Sequence, residues 1–221
     1  MLSRGYIESF IEKKIKHGQN ISFGTSRTAF KVIRQLGLKN ILYDLDITII
    51  PSSMDIADIS EKYNLKIGNM NDKIDLIIEF ASEVDPVFNY TKSETQSLIR
   101  DKFLAYHAKE VIVFVGKTNT NKTLRKFPIE VVKFGLGKTM SALEPFGNVE
   151  LRKINNKPLK TIGQNYLLDL ELLKTYSYDD LEFKIKEIPG VLETGLFVNL
   201  ADKIYSTGNN KISKVVDFIK R

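Results

Sequence analysis

Gly24-Thr25-Ser26-Arg27-Thr28 is a run of small and hydroxylated residues that follows a short apolar stretch and precedes a helical one. A loop of this kind between a strand and a helix suits anions. Its backbone N–H groups and the N-terminus of the next helix face the loop. Three more polar segments, at 51–53, 79–83 and 116–119, each follow a strand-like run, so the four are placed to converge on one cleft. The composition also removes several chemistries. There is no cysteine, which excludes disulfides, thiolate metal sites and a cysteine nucleophile. The two histidines, His17 and His107, are far apart and in no ligand-spaced cluster, so no metal site is expected.

The elements that must position these segments alternate. Residues 3–16 carry Tyr6, Ile7, Phe10 and Ile11 on one helical face, and Gly18-Gln19-Asn20 ends that helix. A strand at 21–23 leads into the loop, and a helix over 28–35 is expected to stop at Gly37. Strands are predicted at 41–43, 47–50, 65–67 and 75–80, with one helix running to Tyr63 and another over 93–107. Residues 111–115, five apolar positions of which three are valine, form the clearest central strand. Such runs suit a parallel sheet covered on both faces. The alternation to about residue 127 therefore predicts an open, mostly parallel α/β sheet, whose ligands bind beyond the carboxyl ends of the strands. At Phe127-Pro128 the rhythm changes. A strand at 129–132, a helix at 137–144, strands at 149–154 and 166–172, a helix at 178–187 and a strand at 191–198 spell β-α-β-β-α-β, a smaller ferredoxin-like α+β unit. Residues 204–221 are expected to add a short strand and a final helix that return to the first unit. The division is thus 1–127 plus 203–221 for the α/β domain and 128–202 for the ferredoxin-like one.

With 43% hydrophobic and 27% charged residues, a chain of 221 residues can bury a substantial core. No apolar run has transmembrane length, so no membrane partner is expected. Residues 1–16 hold four charges between Glu8 and Lys14 in an amphipathic pattern, unlike a secretory signal, and a cytoplasmic location is expected. The net charge of +6 is spread along the chain. Its densest runs, Lys13-Lys14-Ile15-Lys16 and Lys184-Ile185-Lys186, sit in helical patterns and read as solvated faces. No nucleic-acid motif is present, and no nucleic-acid partner is expected.

The run Ile188-Pro189-Gly190-Val191-Leu192-Glu193-Thr194-Gly195-Leu196-Phe197 reads as a helix end, a turn and a buried strand. It resembles the I-P-G-V-x-E-T-G-L-F stretch of the type A ribose-5-phosphate isomerases. The resemblance extends over most of the chain and marks it as a divergent member with substituted active-site motifs. It implies an α/β domain paired with a ferredoxin-like one. It also implies interconversion of ribose 5-phosphate and ribulose 5-phosphate in the pentose phosphate pathway, through an enediol and without metal or cofactor. The partner implied is a small phosphosugar, and by analogy the assembly is a homo-dimer or homo-tetramer.

Residue by residue, Gly24-Thr25-Ser26-Arg27-Thr28-Ala29 is similar to the family's G-T-G-S-T-A, the loop for substrate and phosphate. Ser26 replaces a glycine, which alters the backbone path if positive φ is required. Arg27 replaces a serine and either pairs with phosphate bidentately or points to solvent. Arg4 falls by spacing where the family has a phosphate-facing lysine. Pro51-Ser52-Ser53 is similar to a hydroxyl-rich turn, or is simply a helix cap. Glu79-Phe80-Ala81-Ser82-Glu83-Val84-Asp85 resembles D-G-A-D-E-[IV]-D, with Glu79 in place of one catalytic aspartate, Ser82 in place of the other, and Glu83 matched. The segment 92–102 resembles K-G-G-G-x-x-L-x-R-E-K without its three glycines. This implies Lys92 as the cation that stabilises the enediolate and Asp101, one methylene shorter than the family's glutamate, as the general base. In Gly116-Lys117-Thr118-Asn119 the family aspartate is absent, and either Lys117 or Lys122 replaces its lysine. Thr161, Asn165 and Leu168-Asp169 are similar to T-D-N-G-N-x-[IL]-L-D. Two other readings compete. One is a non-catalytic sugar-phosphate-binding or regulatory protein. The other is a different enzyme on this scaffold: a coenzyme A transferase with Glu79 or Glu83 as nucleophile, or an aminosugar-phosphate deaminase using His107.

Overall fold

The computed structural model describes residues 4–208 and 211–217. Four strands that end at the expected loops lie parallel at the centre: β1 (Asn20–Phe23), β2 (Thr48–Pro51), β4 (Leu76–Phe80) and β7 (Val111–Gly116). With β3 (Lys66–Ile67), β15 (Lys203–Gly208) and β16 (Lys211–Asp217) they form a seven-stranded sheet in the order β16-β15-β7-β4-β1-β2-β3, parallel except for β16. The period-2 alternation of the strands divides their side chains between two cores. Ile21, Phe23, Leu76, Ile78, Ile112 and Phe114 pack under α1 (Arg4–Lys14), α2 (Arg27–Tyr43) and α3 (Met54–Lys62). Ile77, Val111, Val113 and Val115 pack on the other face against Leu98, Leu104 and Ala105 of α4 (Leu98–His107). This double cover is why the strands are apolar throughout.

Beyond the change in rhythm, β8 (Lys126–Val131), α5 (Leu136–Leu143), β9 (Gly147–Leu151), β12 (Tyr166–Leu172), α6 (Tyr178–Lys186) and β13 (Val191–Thr194) build an antiparallel sheet in the order β13-β8-β12-β9. That is the ferredoxin-like arrangement, with both helices packed through Leu143, Leu181 and Ile185 onto one apolar face. A small hairpin, β10 (Lys153–Ile154) with β11 (Lys157–Pro158), projects from it. A three-stranded strip of β5 (Glu83–Val84), β6 (Tyr90–Thr91) and β14 (Leu196–Phe197) joins the two sheets; β5 and β6 were not legible as strands in the sequence, whereas β14 falls within the strand expected at 191–198, which breaks at Gly195.

Four expectations are corrected. Gly37 does not stop α2 but lies inside it, where the Tyr63 backbone packs so closely that a Cβ would stand 2.5 Å from the Tyr63 carbonyl oxygen. Residues 41–43 are the last turn of α2 rather than a strand. Their side chains are exposed, and β1 already has β2 and β4 on its two sides. Residues 93–97 are not helical, and α4 begins at Leu98. Of the short strand and final helix expected within 204–221, the strand is β15, but β16 stands where the helix was expected, the two paired from Lys203↔Asp217 to Gly208↔Lys211. The Gly208-Asn209-Asn210 sequence between two runs rich in β-branched residues was the available signal. Residues 218–221 lie outside the described part.

Candidate active site

The carboxyl ends of β1, β2 and β4, the segment after β6 and the first turn of α4 meet at one place. Lys92 is its centre. Its backbone N–H donates to the Gly195 carbonyl at 3.0 Å, so the recognisable stretch at 188–197 serves to back this lysine. The ring of Phe197 lies 5.8 Å from Nζ. Nζ itself is ion-paired with Oε2 of Glu79 and with Oδ2 of Asp101, the latter at 2.7 Å. All three side chains are buried. Gly24 lies directly over the pair, where a Cβ would stand 1.9 Å from Glu79 Oε2 and 2.4 Å from Lys92 Nζ, so only glycine fits.

Two carboxylates share one ammonium in a dry site, and the charge does not balance. Burial pushes the Glu79 carboxyl up to about 7; Lys92 pulls it down and Asp101 pushes it up again. Burial works against the Lys92 charge, yet Asp101 and then Glu79 outweigh it and raise its pKa, so the ammonium persists at neutral pH. Asp101 is held further by two hydroxyl-bearing residues. The Thr25 N–H donates to Oδ1 at 3.1 Å and the Thr95 hydroxyl to Oδ2 at 2.7 Å. Ser52 joins the same network: its hydroxyl donates to the Phe23 carbonyl at 2.8 Å and accepts from Thr25 Oγ1 at 2.9 Å. Ser53 is the cap of α3, accepting from the Ile56 N–H at 3.3 Å, so both readings of this turn hold.

Above this floor is a cleft of about 850 Å³, lined by Thr25, Ser26, Arg27, Thr28, Ser82 and Lys92 of the expected residues. Ser26 has φ −166, extended backbone that any residue adopts, so loss of the glycine leaves the loop path unstrained. Its side chain caps α2 by accepting from the Thr28 N–H at 3.1 Å. Arg27 opens α2, exposed at the cleft wall. Ser82 accepts from the Ser93 N–H at 2.8 Å and so fixes the segment that carries Lys92.

Other expected residues lie elsewhere. Glu79 and Asp101 do not line the cleft but sit one side-chain layer beneath it, behind Lys92, Thr25 and Thr95. Glu83, half-buried in β5, is not among the cleft residues; burial first, then Asp85 and Glu83, raise the Tyr178 phenol. Arg4 opens α1 and Lys117 opens a 3-10 turn, but their side chains lie outside the described residues. Lys122 is exposed and does not line the cleft. Thr161 and Asn165 bond Glu130 Oε1 at 2.7 and 2.9 Å, a buried knot within the second sheet. His107 ends α4, exposed and tilted against the Phe103 ring, about 9 Å along the helix from Asp101. The deaminase role expected of it therefore lacks geometry. Among the described residues no group of acidic or histidine side chains is placed to hold a metal ion. No helix among them is long and apolar enough to cross a membrane.

Among the cleft residues that escaped the sequence reading are Thr95 and Arg152. Thr95 gives no signal by type. Arg152 comes from the second sheet, donates through NH1 to the Ser93 carbonyl at 2.7 Å, and clamps Asp169 with Nε and NH2. Its approach depends on the β9–β12 register, which no local pattern discloses.

The sequence model of the family described as ribose 5-phosphate isomerase A (phosphoriboisomerase A) matches residues 48–211. This chain belongs to that family. It is 31% identical over 195 residues to ribose-5-phosphate isomerase A 1 of Oceanobacillus iheyensis, covering 86% of this chain and 87% of the relative. It is 32% identical over 196 residues to ribose-5-phosphate isomerase A of Picrophilus torridus, covering 87% and 88%. A solved D-ribose-5-phosphate isomerase in complex with phospho-erythronic acid superposes with a TM-score of 0.89 at 27% identity, covering 96% of both chains. The similarity to that solved isomerase spans both sheets.

Proposed function

We propose that this protein interconverts ribose 5-phosphate and ribulose 5-phosphate through an enediol. Family membership and relatives of that name support the reaction. Within the site, the carrying observation is the Lys92 ammonium held by two carboxylates at the floor of a cleft whose wall is the start of α2.

In this reading the phosphate settles against residues 24–28, where the N-terminus of α2 and Arg27 favour negative charge. Asp101 lies beneath Thr25, Lys92 and Thr95, so the bound sugar must displace part of that cover before Asp101 takes the proton from C2 of the open-chain form. The electron pair left behind forms the C1–C2 double bond, and O1 takes the charge. Lys92 stabilises that charge in a water-poor site, where such stabilisation is worth most. Asp101 then returns its proton to C1, the O2 hydroxyl proton is lost toward O1, and the ketose results with no net gain of atoms. Glu79 reaches only Lys92, so it orients and tunes the ammonium and does not touch the sugar. Residues 1–127 with 203–221 are assigned to the sugar-phosphate-binding α/β domain and 128–202 to the ferredoxin-like one. A place in the pentose phosphate pathway, a cytoplasmic location and a homo-dimer or homo-tetramer belong to the same proposal, the last testable by analytical ultracentrifugation.

The test is isotope exchange. The protein is incubated with ribose 5-phosphate in deuterated water and followed by NMR. Deuterium at the carbon next to the carbonyl together with ribulose 5-phosphate is the expected result. Phospho-erythronic acid, the ligand of the similar solved isomerase, should compete. Binding of ribose 5-phosphate with neither exchange nor product would overturn the isomerase reading in favour of a sugar-phosphate-binding protein.

A further inference from the structure

Thr95 is a buried polar residue, 2% exposed, that also lines the cleft. Its hydroxyl donates to Asp101 Oδ2 at 2.7 Å and accepts the Ser97 N–H at 3.0 Å. Ser97 in turn donates from Oγ to the Ser52 carbonyl at 2.8 Å. The single O–H hydrogen of Thr95 therefore has one fixed acceptor. Lys92 Nζ meets the same Oδ2 at 2.7 Å. The other oxygen, Oδ1, meets only the Thr25 N–H among the described residues, at 3.1 Å. The two oxygens of Asp101 are thus unequal: Oδ2 is anchored by two short, strong donors, and Oδ1 keeps lone-pair capacity beneath Thr25, which lines the cleft.

A carboxylate that must take a carbon-bound proton and return it one carbon along needs one oxygen held in a fixed plane. An aspartate is free to turn about χ2 unless something stops it. We infer that Thr95 is a positioning residue for Asp101, its hydroxyl locking Oδ2 so that Oδ1 is the oxygen that moves the proton. This inference rests on the isomerase reading.

Two variants test it. Thr95→Val removes the hydroxyl with the shape kept, and Thr95→Ser keeps the hydroxyl. One readout is kcat and KM for ribose 5-phosphate. The other needs no substrate: the chemical shift of the Asp101 side-chain carbon at fixed pH in 13C-aspartate-labelled protein. The charged groups facing Asp101 are Lys92 and Glu79 across that lysine, with Tyr90 from β6 nearby; Lys102 on its own helix is committed to Glu182 and Glu193. In Thr95→Val, kcat should fall about tenfold to a hundredfold with KM within about twofold. The Asp101 carbon signal should move, since the hydroxyl donor to Oδ2 is gone. Thr95→Ser should restore both. On an Asp101→Asn background, Thr95→Val should change kcat no further. An unmoved carbon signal in Thr95→Val overturns the proposal, as does an equal loss in Thr95→Ser. A wild-type chain that fails to turn over ribose 5-phosphate while the carbon signal still moves in Thr95→Val overturns the isomerase reading and leaves the anchoring of Asp101 standing.

Discussion

Two buried lysines flank the same ring: Lys92 Nζ lies 5.8 Å from the centre of Phe197 and Lys102 Nζ 5.0 Å. Their surroundings differ in kind. Lys102 donates to Glu182, to Glu193 at 2.8 Å, to Thr194 Oγ1 at 3.0 Å and to the Leu196 carbonyl at 2.8 Å. Its two carboxylate partners are partly exposed. Although burial opposes ionisation of Glu193, Lys102 overcomes it and holds that carboxyl below its ordinary value. Lys92 has two carboxylates in a sealed pocket, one of them pushed up to about 7, with Glu79 Oε1 lacking a hydrogen-bond partner among the described residues. The satisfied node ties α4 to α6 and β13. The unsatisfied one faces a cleft. An ion cluster left short of partners is where a fold spends stability for chemistry, because each unpaired buried group costs free energy that packing alone would avoid.

The largest break in this comparison should come from Asp101→Asn. Loss of the base is expected to lower kcat by about a thousandfold or more, with ribose 5-phosphate binding and melting temperature close to wild type, measured by steady-state kinetics and calorimetry. Unchanged turnover would remove Asp101 from the chemistry. Next, Lys92→Met and Lys102→Met should separate the two nodes. The first should lower kcat/KM by about a hundredfold to a thousandfold. The second should destabilise the fold by about 3 kcal/mol or more, since it strands Glu182 and Glu193, while kcat of the folded fraction changes little. If both variants lose activity and stability equally, the distinction collapses.

A smaller effect tests the proton balance of the triad. Glu79 has a folded pKa of about 7 against an ordinary 4.5. The folded state therefore binds its proton more tightly than the unfolded one. The stability linked to this group is present at low pH and is lost as pH rises from about 4.5 through about 7. Urea titrations should show wild type losing up to about 3 kcal/mol across that window relative to Glu79→Gln. Parallel curves would place Glu79 outside the titrating triad. The smallest effect is expected from Ser82→Ala, which removes the acceptor for the Ser93 N–H and should cost about 1 kcal/mol, with a severalfold loss in kcat as the Lys92 segment loosens.

The alternation of strands and helices was legible because each central strand is buried on both faces and so carries an unbroken apolar signal, as in 111–115. The C-terminal hairpin was misread. Its pattern is short, and its partner, the free edge of β15, exists only once β15 has paired with β7. The helix expected from residue 93 fails for a related reason. Residues 93–97 bond mainly to Ser82, Arg152, Ile162 and Asp101, with the Ser97 N–H turned onto the Thr95 hydroxyl rather than onto a helical carbonyl. Arg27, Thr25 and Lys92 were found from loop position and resemblance. Thr95 and Arg152 were not, because a threonine and an arginine have no distinguishing type, and Thr95 meets Asp101 only where the 93–97 segment turns into α4, while Arg152 finds Asp169 on β12.

By itself the sequence determined the exclusion of thiol chemistry, the strand-loop-helix setting of residues 24–28, the ferredoxin-like order of the second unit and the family resemblance carried by 188–197. These rest on residue type, periodicity and local spacing. Only the tertiary structure decided that Lys92 faces the cleft while Lys102 does not, that Glu79 meets Lys92 beneath the cleft, and that Asp101 has one anchored and one less encumbered oxygen. Those outcomes depend on contacts between residues far apart in the chain, 76 positions for Thr25 with Asp101 and 91 for Lys102 with Glu193, and on how much water the intervening packing leaves.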